Sequence, residues 1–575
     1  MKVSDYIVSF LINRGITDVF GYPGGMITPL MDSFTKQSDK ISAHLNYHEQ
    51  ASAFCACGYG QVKGIPGVAY TTSGPGATNL ITGIANAYYD SIPCLFITGQ
   101  VNTYESKGSL TIRQKGFQET DIVSIVKNIT KYAYHVNYAS DIKSQLEKAY
   151  NLSLEGRPGP VLLDIPFNIL REEIKTESLP PYTKIDSKGT DACVDEVLDA
   201  LYNAINNAHK PLILAGAGIR SAGMKDIFHS LINNLKIPVV SSMIAVDCLP
   251  DESEYKFGFI GAYGHRYANI LQAKCDLIIS MGSRLDTRQT GVQKERFSEN
   301  AQLIRIDVSE EELTNNIKEA EISINCNLKE LLPRMLTDKR FTFNKHVDWL
   351  MKCKTIKQEL NGMDRLLPNE FVREISNYVP KNAIITTDVG QNQVWIAQDF
   401  QIQEGQTILF SGGHGAMGYS LPAAIGAYYA DRRPVISFNG DGGLQMNIQE
   451  LQFIVREKLP IKIIVLNNNS LGMIRHFQEM YFDCVYTQTT ADYGYTIPDF
   501  CKLAEAYGIT SINITKLETV QTLEKLINNN EPVLINIECG NQTYVYPKLG
   551  MGKPTYDQEP LLERRYLSEI MHNME

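Results

Sequence analysis

The stretch PVISFNGDGGLQMNIQELQFIVREKLPIKIIVLNNNSLGM, residues 434–473, decides the fold. PVISF is a short apolar run of the kind that makes a buried strand, and Asn439-Gly440-Asp441-Gly442-Gly443 is the turn that ends it before a helical pattern. A second apolar run, IKIIVL, ends in Asn467-Asn468-Asn469-Ser470-Leu471-Gly472. A strand, a covering helix and a strand make a parallel pair, so both polar turns fall on the same C-terminal sheet edge, where open parallel sheets bind ligands. Glycines let the backbone approach an anion closely, and the following helix offers free N–H groups. Asp441 would repel a phosphate there unless a divalent cation lay between them. Mg²⁺ suits the place because it takes hard oxygen ligands and shares them between protein and phosphate. Asn468 returns to the edge 468 − 441 = 27 positions later, and its side-chain oxygen and the Ser470 carbonyl would complete the protein's share. Alone, a Gly-Asp-Gly turn reads as an ordinary Asp-capped helix start. With the Asn run at this spacing it reads as a metal–diphosphate site built on Asp441, Asn468 and Ser470.

The same alternation of Val/Ile-rich runs and longer helical patterns extends through nearly all 575 residues, which is too long for one core. The expected fold class is α/β, with three doubly wound parallel-sheet domains at 1–175, 190–335 and 365–548 and a tail at 549–575. The polar, Pro-containing stretch 176–192 reads as a linker, and 343–364 as a charged helical connection. The first and third blocks share an outline of helix, strand and Gly-rich turn without a residue-level repeat. Asp plus Glu exceeds Lys plus Arg by 64 to 54, a net charge of −10, and such a balance argues against a nucleic-acid partner. No apolar run approaches the roughly 18 residues of a membrane span, so no membrane partner is expected. The eleven cysteines show neither disulfide nor zinc spacing, and the start MKVSDYIVSFLINRG has no cleavage site, so a reducing cytoplasm is expected.

Six further segments and the metal turn, in order, carry a resemblance: GYPGG (21–25), HEQASAF (48–54), TTSGPGATN (71–79), FQET (117–120), DVGQNQVW (388–395) and SGGHGAMGYSLPAAIGA (411–427). The chain resembles the acetolactate synthase group of thiamine diphosphate (ThDP) enzymes over roughly residues 4–548. The resemblance implies that Glu49 is the catalytic acid facing N1′ of the cofactor's aminopyrimidine, with Gly24, Thr72, Pro75 and Asn79 around it. It places the diphosphate and thiazolium at Val389, Gly390, Gln391, Asn392, Gly415, Met417, Gly440, Gly442, Gly443, Leu471, Gly472 and Met473. Met417 would wedge the cofactor into its bent form. Pyruvate would lose CO₂ and the two-carbon hydroxyethyl/acetyl unit would pass to a second carbonyl, with Gln118 beside Phe117 near the reacting carbon. In this family the two cofactor-binding blocks come from different subunits. A homodimer is then the minimum, a tetramer is common, and a regulatory subunit often accompanies it.

The middle block begins Gly216-Ala217-Gly218 but spaces its third glycine, Gly223, too far for a dinucleotide fingerprint. It resembles the family's FAD domain instead, which puts a structural FAD at Gly218, Ser242, Met243, Gly261, Gly264, Gly282, Arg284, Asp286 and Asp307. The family usually has Gly-Asp near the adenosine end, where this chain has Cys326-Asn327. Arg288 matches the arginine that holds the carboxylate of the second 2-oxo acid. Phe477 stands where the family's acceptor-site tryptophan is usual, and Phe167 where a lysine is usual. Those two departures would suit a larger or less charged acceptor. A 2-oxo acid acceptor is the first reading. The alternatives are a keto-deoxysugar nucleotide in surface-polysaccharide synthesis and a simple 2-oxo acid decarboxylase. An NAD-dependent dehydrogenase would leave the Glu49 and Asp441 segments unexplained, and a catalytically dead paralogue would need one of them broken.

Overall fold

Helices between successive apolar runs leave each strand free to pair only in parallel with its neighbours, since a parallel connection needs a covering crossover. In the computed structural model, which describes residues 1–183 and 191–575, this produces three six-stranded parallel sheets. Residues 184–190, part of the expected linker, lie outside the described residues. The first sheet comprises β1 (Asp18–Gly21), β2 (Ser42–Leu45), β3 (Gly67–Thr71), β4 (Cys94–Gln100), β5 (Tyr132–His135) and β6 (Pro160–Pro166), in the order β2-β1-β3-β4-β6-β5. The middle sheet comprises β7 (Pro211–Ala215), β8 (Val239–Ser241), β9 (Lys256–Phe259), β10 (Leu277–Met281), β11 (Gln302–Asp307) and β12 (Ile322–Asn325), in the order β12-β11-β10-β7-β8-β9. The third comprises β13 (Ile384–Thr387), β14 (Thr407–Leu409), β15 (Val435–Gly440), β16 (Lys462–Asn467), β17 (Thr510–Ile514) and β18 (Val533–Glu538), in the order β14-β13-β15-β16-β18-β17. Numbered within their own domains, the first and third sheets have one and the same order. The shared outline in the sequence is therefore a shared topology. The middle sheet winds outward from its first strand in both directions, as dinucleotide-binding sheets do.

The middle core runs past residue 335. Trp349, Leu350, Cys353, Ile356 and Leu360 of the Val347–Leu360 helix are buried in it, and Trp349 Nε1 donates to the Pro211 carbonyl at 2.9 Å. The tail ends there too, with Ile570 and Met574 in the same cluster. On the way the tail forms a two-stranded antiparallel ribbon, β19 (Lys548–Leu549) with β20 (Gln558–Glu559).

The first and third domains meet through the Glu49–Lys63 and Ser420–Asp431 helices. Small residues allow that crossing: a Cβ on Gly58 would lie 2.1 Å from the Ala423 carbonyl oxygen, and one on Gly426 would lie 1.8 Å from that of Cys55. Beside it, the fully buried Glu450 accepts from Asn46 Nδ2 (2.9 Å) and Tyr47 N (2.8 Å). Burial pushes its carboxyl up to about 7, although these hydrogen bonds pull the other way. The folded chain thus keeps a proton that an unfolded glutamate gives up at roughly pH 4.3. The stabilising contribution is whole below that pH and is lost as pH rises through about 7. Glu450→Gln, uncharged throughout, is expected to flatten the fall in stability between pH 5 and 7 by about 1 kcal/mol per pH unit. Urea titrations at several pH values read this, and an unchanged slope would show that Glu450 does not titrate in that window.

Candidate active site

The C-terminal edge of the third sheet gathers the residues of the opening motif. β15 delivers Asp441 at the first turn of the Asp441–Met446 helix, and β16 delivers Asn468 and Ser470 beside it. Asp441 Oδ2 and Asn468 Oδ1 each lie 3.2 Å from the Ser470 N–H, so the two side-chain oxygens converge on one point. Asp441 Oδ1 accepts from Gly442 N (2.7 Å) and the Tyr495 hydroxyl (3.1 Å). Burial raises the Asp441 carboxyl to about 6 against those bonds, and no basic side chain is among the groups that shift it. The donor set is therefore hard oxygen around an uncompensated negative charge, and it fits Mg²⁺. Among the described residues no group of three or more His, Cys, Asp and Glu is arranged to hold a metal.

Asn468 is oriented from behind. Its Nδ2 donates to Gln391 Oε1 and to Thr543 Oγ1, both at 2.8 Å, and Gln391 Nε2 donates to the Thr543 carbonyl at 3.0 Å. The Gln391 side chain thus positions a residue of the candidate metal site. Gly390, at φ +147°, turns the chain from β13 into the Gln391–Asp399 helix, where an L side chain would be strained. Asn392 Nδ2 sits 3.1 Å from where a Gly390 Cβ would be and 3.2 Å from a Gly440 Cβ, while its Oδ1 is buried without a partner among the described residues. Met417 Cε and Leu471 Cδ2 both pack onto Gly442. Behind Val389 and Gly443, the buried Asp388 accepts from the backbone N–H groups of Val389, Gly418 and Ser420. Burial raises its carboxyl to about 7. Gly472 and Met473 begin the Gly472–Tyr481 helix, and Gly415 is exposed in the loop before Met417.

On the first domain, His48 caps the Glu49–Lys63 helix through its ring, accepting from Gln50 N at 3.1 Å. Glu49 in that first turn is only 8% exposed. Its Oε2 accepts from Asn79 Nδ2 at 2.9 Å, and Oε1 meets no donor among the described residues. Gly76 lies over the same carboxylate, and Gly74, two residues earlier, packs onto Gln118. Gln118 and Glu49 therefore flank the start of the Pro75–Asn79 helix. Gln118 takes a left-handed φ of +65°, unusual for a residue with a side chain. Its neighbour Glu119 holds the loop: one carboxylate accepts from Ser106 Oγ, Lys107 N and Lys115 N. Thr72 Oγ1 accepts from Met26 N at 3.2 Å and packs against Gly24, and Phe117 is 80% exposed.

Comparison with known proteins matches this arrangement. Residues 1–125 fit the N-terminal TPP binding domain of thiamine pyrophosphate enzymes, 198–335 the central domain and 388–537 the C-terminal TPP binding domain. An acetolactate synthase large subunit from Lactococcus lactis is 37% identical over 558 residues, 96% of this chain and 94% of that one. The chain belongs to the acetolactate synthase large-subunit family of thiamine pyrophosphate enzymes. Acetolactate synthase isozyme 2 large subunit from Escherichia coli is 32% identical over 96% of this chain and 98% of its own length. A probable acetolactate synthase large subunit from Methanocaldococcus jannaschii is 36% identical, over 93% and 92%.

The residues that the family resemblance assigns to FAD mostly meet in one cleft of about 410 Å³ between the middle domain and the other two. Gly218, Ser242, Met243, Gly282, Arg284, Asp286 and Asp307 line it, and so does Arg288. Ser242 Oγ is buried there without a hydrogen-bond partner among the described residues, which fits a polar ligand alongside. Asp307 ends β11, its carboxyl raised by burial and held by Ser309 N at 2.9 Å. Asn327 also lines the cleft, with its side-chain oxygen capping the Leu328–Thr337 helix at Lys329 N. Gly261 and Gly264 do not line it. They form a turn against the Arg288 backbone, and the Gly264 carbonyl accepts from Gln558 of the tail at 2.8 Å. Tyr495 and Thr543 lie outside the family motifs, and Glu119 and Asp388 lie inside FQET and DVGQNQVW without a role given to them; each acts through a contact distant in sequence or through backbone N–H groups. Among the described residues no helix is long and apolar enough to cross a membrane.

Proposed function

We propose that the protein is a ThDP- and Mg²⁺-dependent carboligase that decarboxylates pyruvate and joins the two-carbon unit to a second 2-oxo acid, as an acetolactate synthase does. The observation that carries this is the convergence of Asp441 Oδ2 and Asn468 Oδ1 on one point of a sheet edge, in a chain of this family. Bound there, ThDP supplies the nucleophilic carbon and the electron sink that loss of CO₂ requires. The chain's own residues do the rest. Asp441, Asn468 and the Ser470 carbonyl hold Mg²⁺, with Tyr495 and Gln391 fixing the first two. The Gly440–Gly443 turn and residues 389–392 cradle the diphosphate, and Met417 props the ring. Glu49, fixed by Asn79, keeps Oε1 free to hold and return a proton at the pyrimidine nitrogen. Gln118 faces the reacting carbonyl, and Arg288 takes the acceptor's carboxylate.

FAD in the cleft would be structural, because the reaction has no redox step. Exposed apolar side chains flank both half-sites: Leu110, Ile112 and Phe117 on the first domain, Met446, Ile474, Phe482 and Val485 on the third. A homodimer that buries them would join the Glu49 half of one subunit to the metal half of the other, and a tetramer or a regulatory subunit would build on that dimer. The described cysteines are all free thiols, in keeping with a reducing cytoplasm. Incubation with ThDP, Mg²⁺ and pyruvate should give a carbon–carbon bonded product by mass, with a flavin band in the visible spectrum. Free acetaldehyde alone would make the protein a decarboxylase, and no turnover would overturn the proposal.

A further inference from the structure

The tail brings an unassigned cation to the substrate side of this site. Lys548 is 6% exposed, yet among the described residues its ammonium has no carboxylate within 4 Å and no hydrogen-bond acceptor. Its ring neighbour is Phe477, with Nζ 5.9 Å from the centroid. Phe477 lies on the Gly472–Tyr481 helix, five residues and so about 7.5 Å of rise from the cradle glycine Gly472. The acid whose field reaches Lys548, Glu479, is already committed to Arg475 (3.2 Å) and the Tyr486 hydroxyl (3.1 Å). Burial pulls the Lys548 ammonium down to about 8, and an arriving anion would relieve that penalty.

A backbone ladder fixes where the cation sits. Ala262 N donates to the Arg288 carbonyl and the Ala262 carbonyl accepts from Leu549 N, both at 2.7 Å. Arg288, the 262–263 turn and Lys548-Leu549 are thus three adjacent rungs. The Arg288 guanidinium stands 5.7 Å over the Tyr263 ring, the Tyr263 hydroxyl feels that of Tyr481, and the Tyr481 ring is 4.7 Å from Phe477. The Arg288 guanidinium, like the Lys548 ammonium, has no carboxylate within 4 Å among the described residues, although the Arg288 backbone N–H donates to Asp286 Oδ1 at 3.1 Å. Two unpaired cations on the outer rungs of one backbone ladder, each over an aromatic ring, call for a ligand with two separated anionic groups.

We propose that Lys548 is a specificity-determining residue: it binds a second anionic group on the acceptor, which is therefore a 2-oxo acid carrying a distal carboxylate or phosphate. This rests on the carboligase reading above, and wild-type CO₂ release from pyruvate tests that reading separately. With pyruvate as donor, kcat/KM is measured for 2-oxobutyrate, for 2-oxoglutarate and for 2-oxo-3-deoxy-6-phosphogluconate as acceptors. At least one of the doubly anionic acceptors should exceed 2-oxobutyrate by about tenfold, the scale of one charged hydrogen bond. The arm that rises tells carboxylate from phosphate. Lys548→Met should abolish that ratio and Lys548→Arg should keep most of it. A wild-type enzyme preferring 2-oxobutyrate to both would overturn the proposal, even if the methionine variant failed to fold. So would a ratio that survives Lys548→Met.

Discussion

Glu49→Gln is expected to release CO₂ from pyruvate at least about a hundredfold more slowly than the wild type while still binding ThDP, since positioned proton transfer contributes about 10²–10⁴. The substitution isolates one property. Glutamine has the volume of glutamate, so the nearly buried first turn of the Glu49–Lys63 helix keeps its packing. Its amide oxygen can still accept from Asn79 Nδ2, the one donor that the Glu49 carboxylate meets among the described residues. What it cannot do is hold a proton and give it back at Oε1. In the proposed site, cofactor affinity would rest mainly on the metal residues of the other domain, so calorimetric titration with ThDP and Mg²⁺ should change little. A Glu49→Gln enzyme that turns over like the wild type would refute the assigned role. Loss of binding and turnover together would mean that Glu49 serves affinity rather than proton transfer.

What was legible in the sequence was whatever is local along the chain. The 434–473 stretch contains its strands, its turn and the 27-residue return to one edge, and the structure places Asp441 and Asn468 there together. The helix after the middle domain was half legible. Trp349, Leu350, Cys353, Ile356 and Leu360 form an apolar stripe at helical spacing, but a stripe does not say which core it will cover. Contacts between distant positions left no local trace. Glu450 reaches Asn46 across 404 positions and Asn468 reaches Thr543 across 75, and each residue alone is an ordinary polar side chain. Gly261 and Gly264 show a third limit. A glycine that makes room for a ligand and one that makes room for the protein's own backbone are identical in sequence.

Asp441→Asn should weaken Mg²⁺-dependent ThDP binding by about a hundredfold or more, the scale of about 3 kcal/mol. Asparagine is again close in shape, so the argument turns on charge and donors. Donors point at both Asp441 oxygens, Gly442 N and the Tyr495 hydroxyl at Oδ1 and Ser470 N at Oδ2, and the Asn469 N–H also bonds the carboxylate. An amide nitrogen at either position would face a donor with a donor. The pair left unsatisfied is buried, where such a mismatch costs about 1–3 kcal/mol. The cation would also lose the negative charge that sets it against a diphosphate, and Asn468 and the Ser470 carbonyl are both neutral. Mg²⁺ titrations at fixed ThDP read the change directly, as a large rise in the metal concentration needed for half-saturation. An unchanged requirement would show that the cation sits elsewhere, and the metal site read from the Gly-Asp-Gly turn would fall with it. A protein that binds ThDP tightly without any metal would sink it as well, because Asp441 would then face the diphosphate as a bare repelling charge.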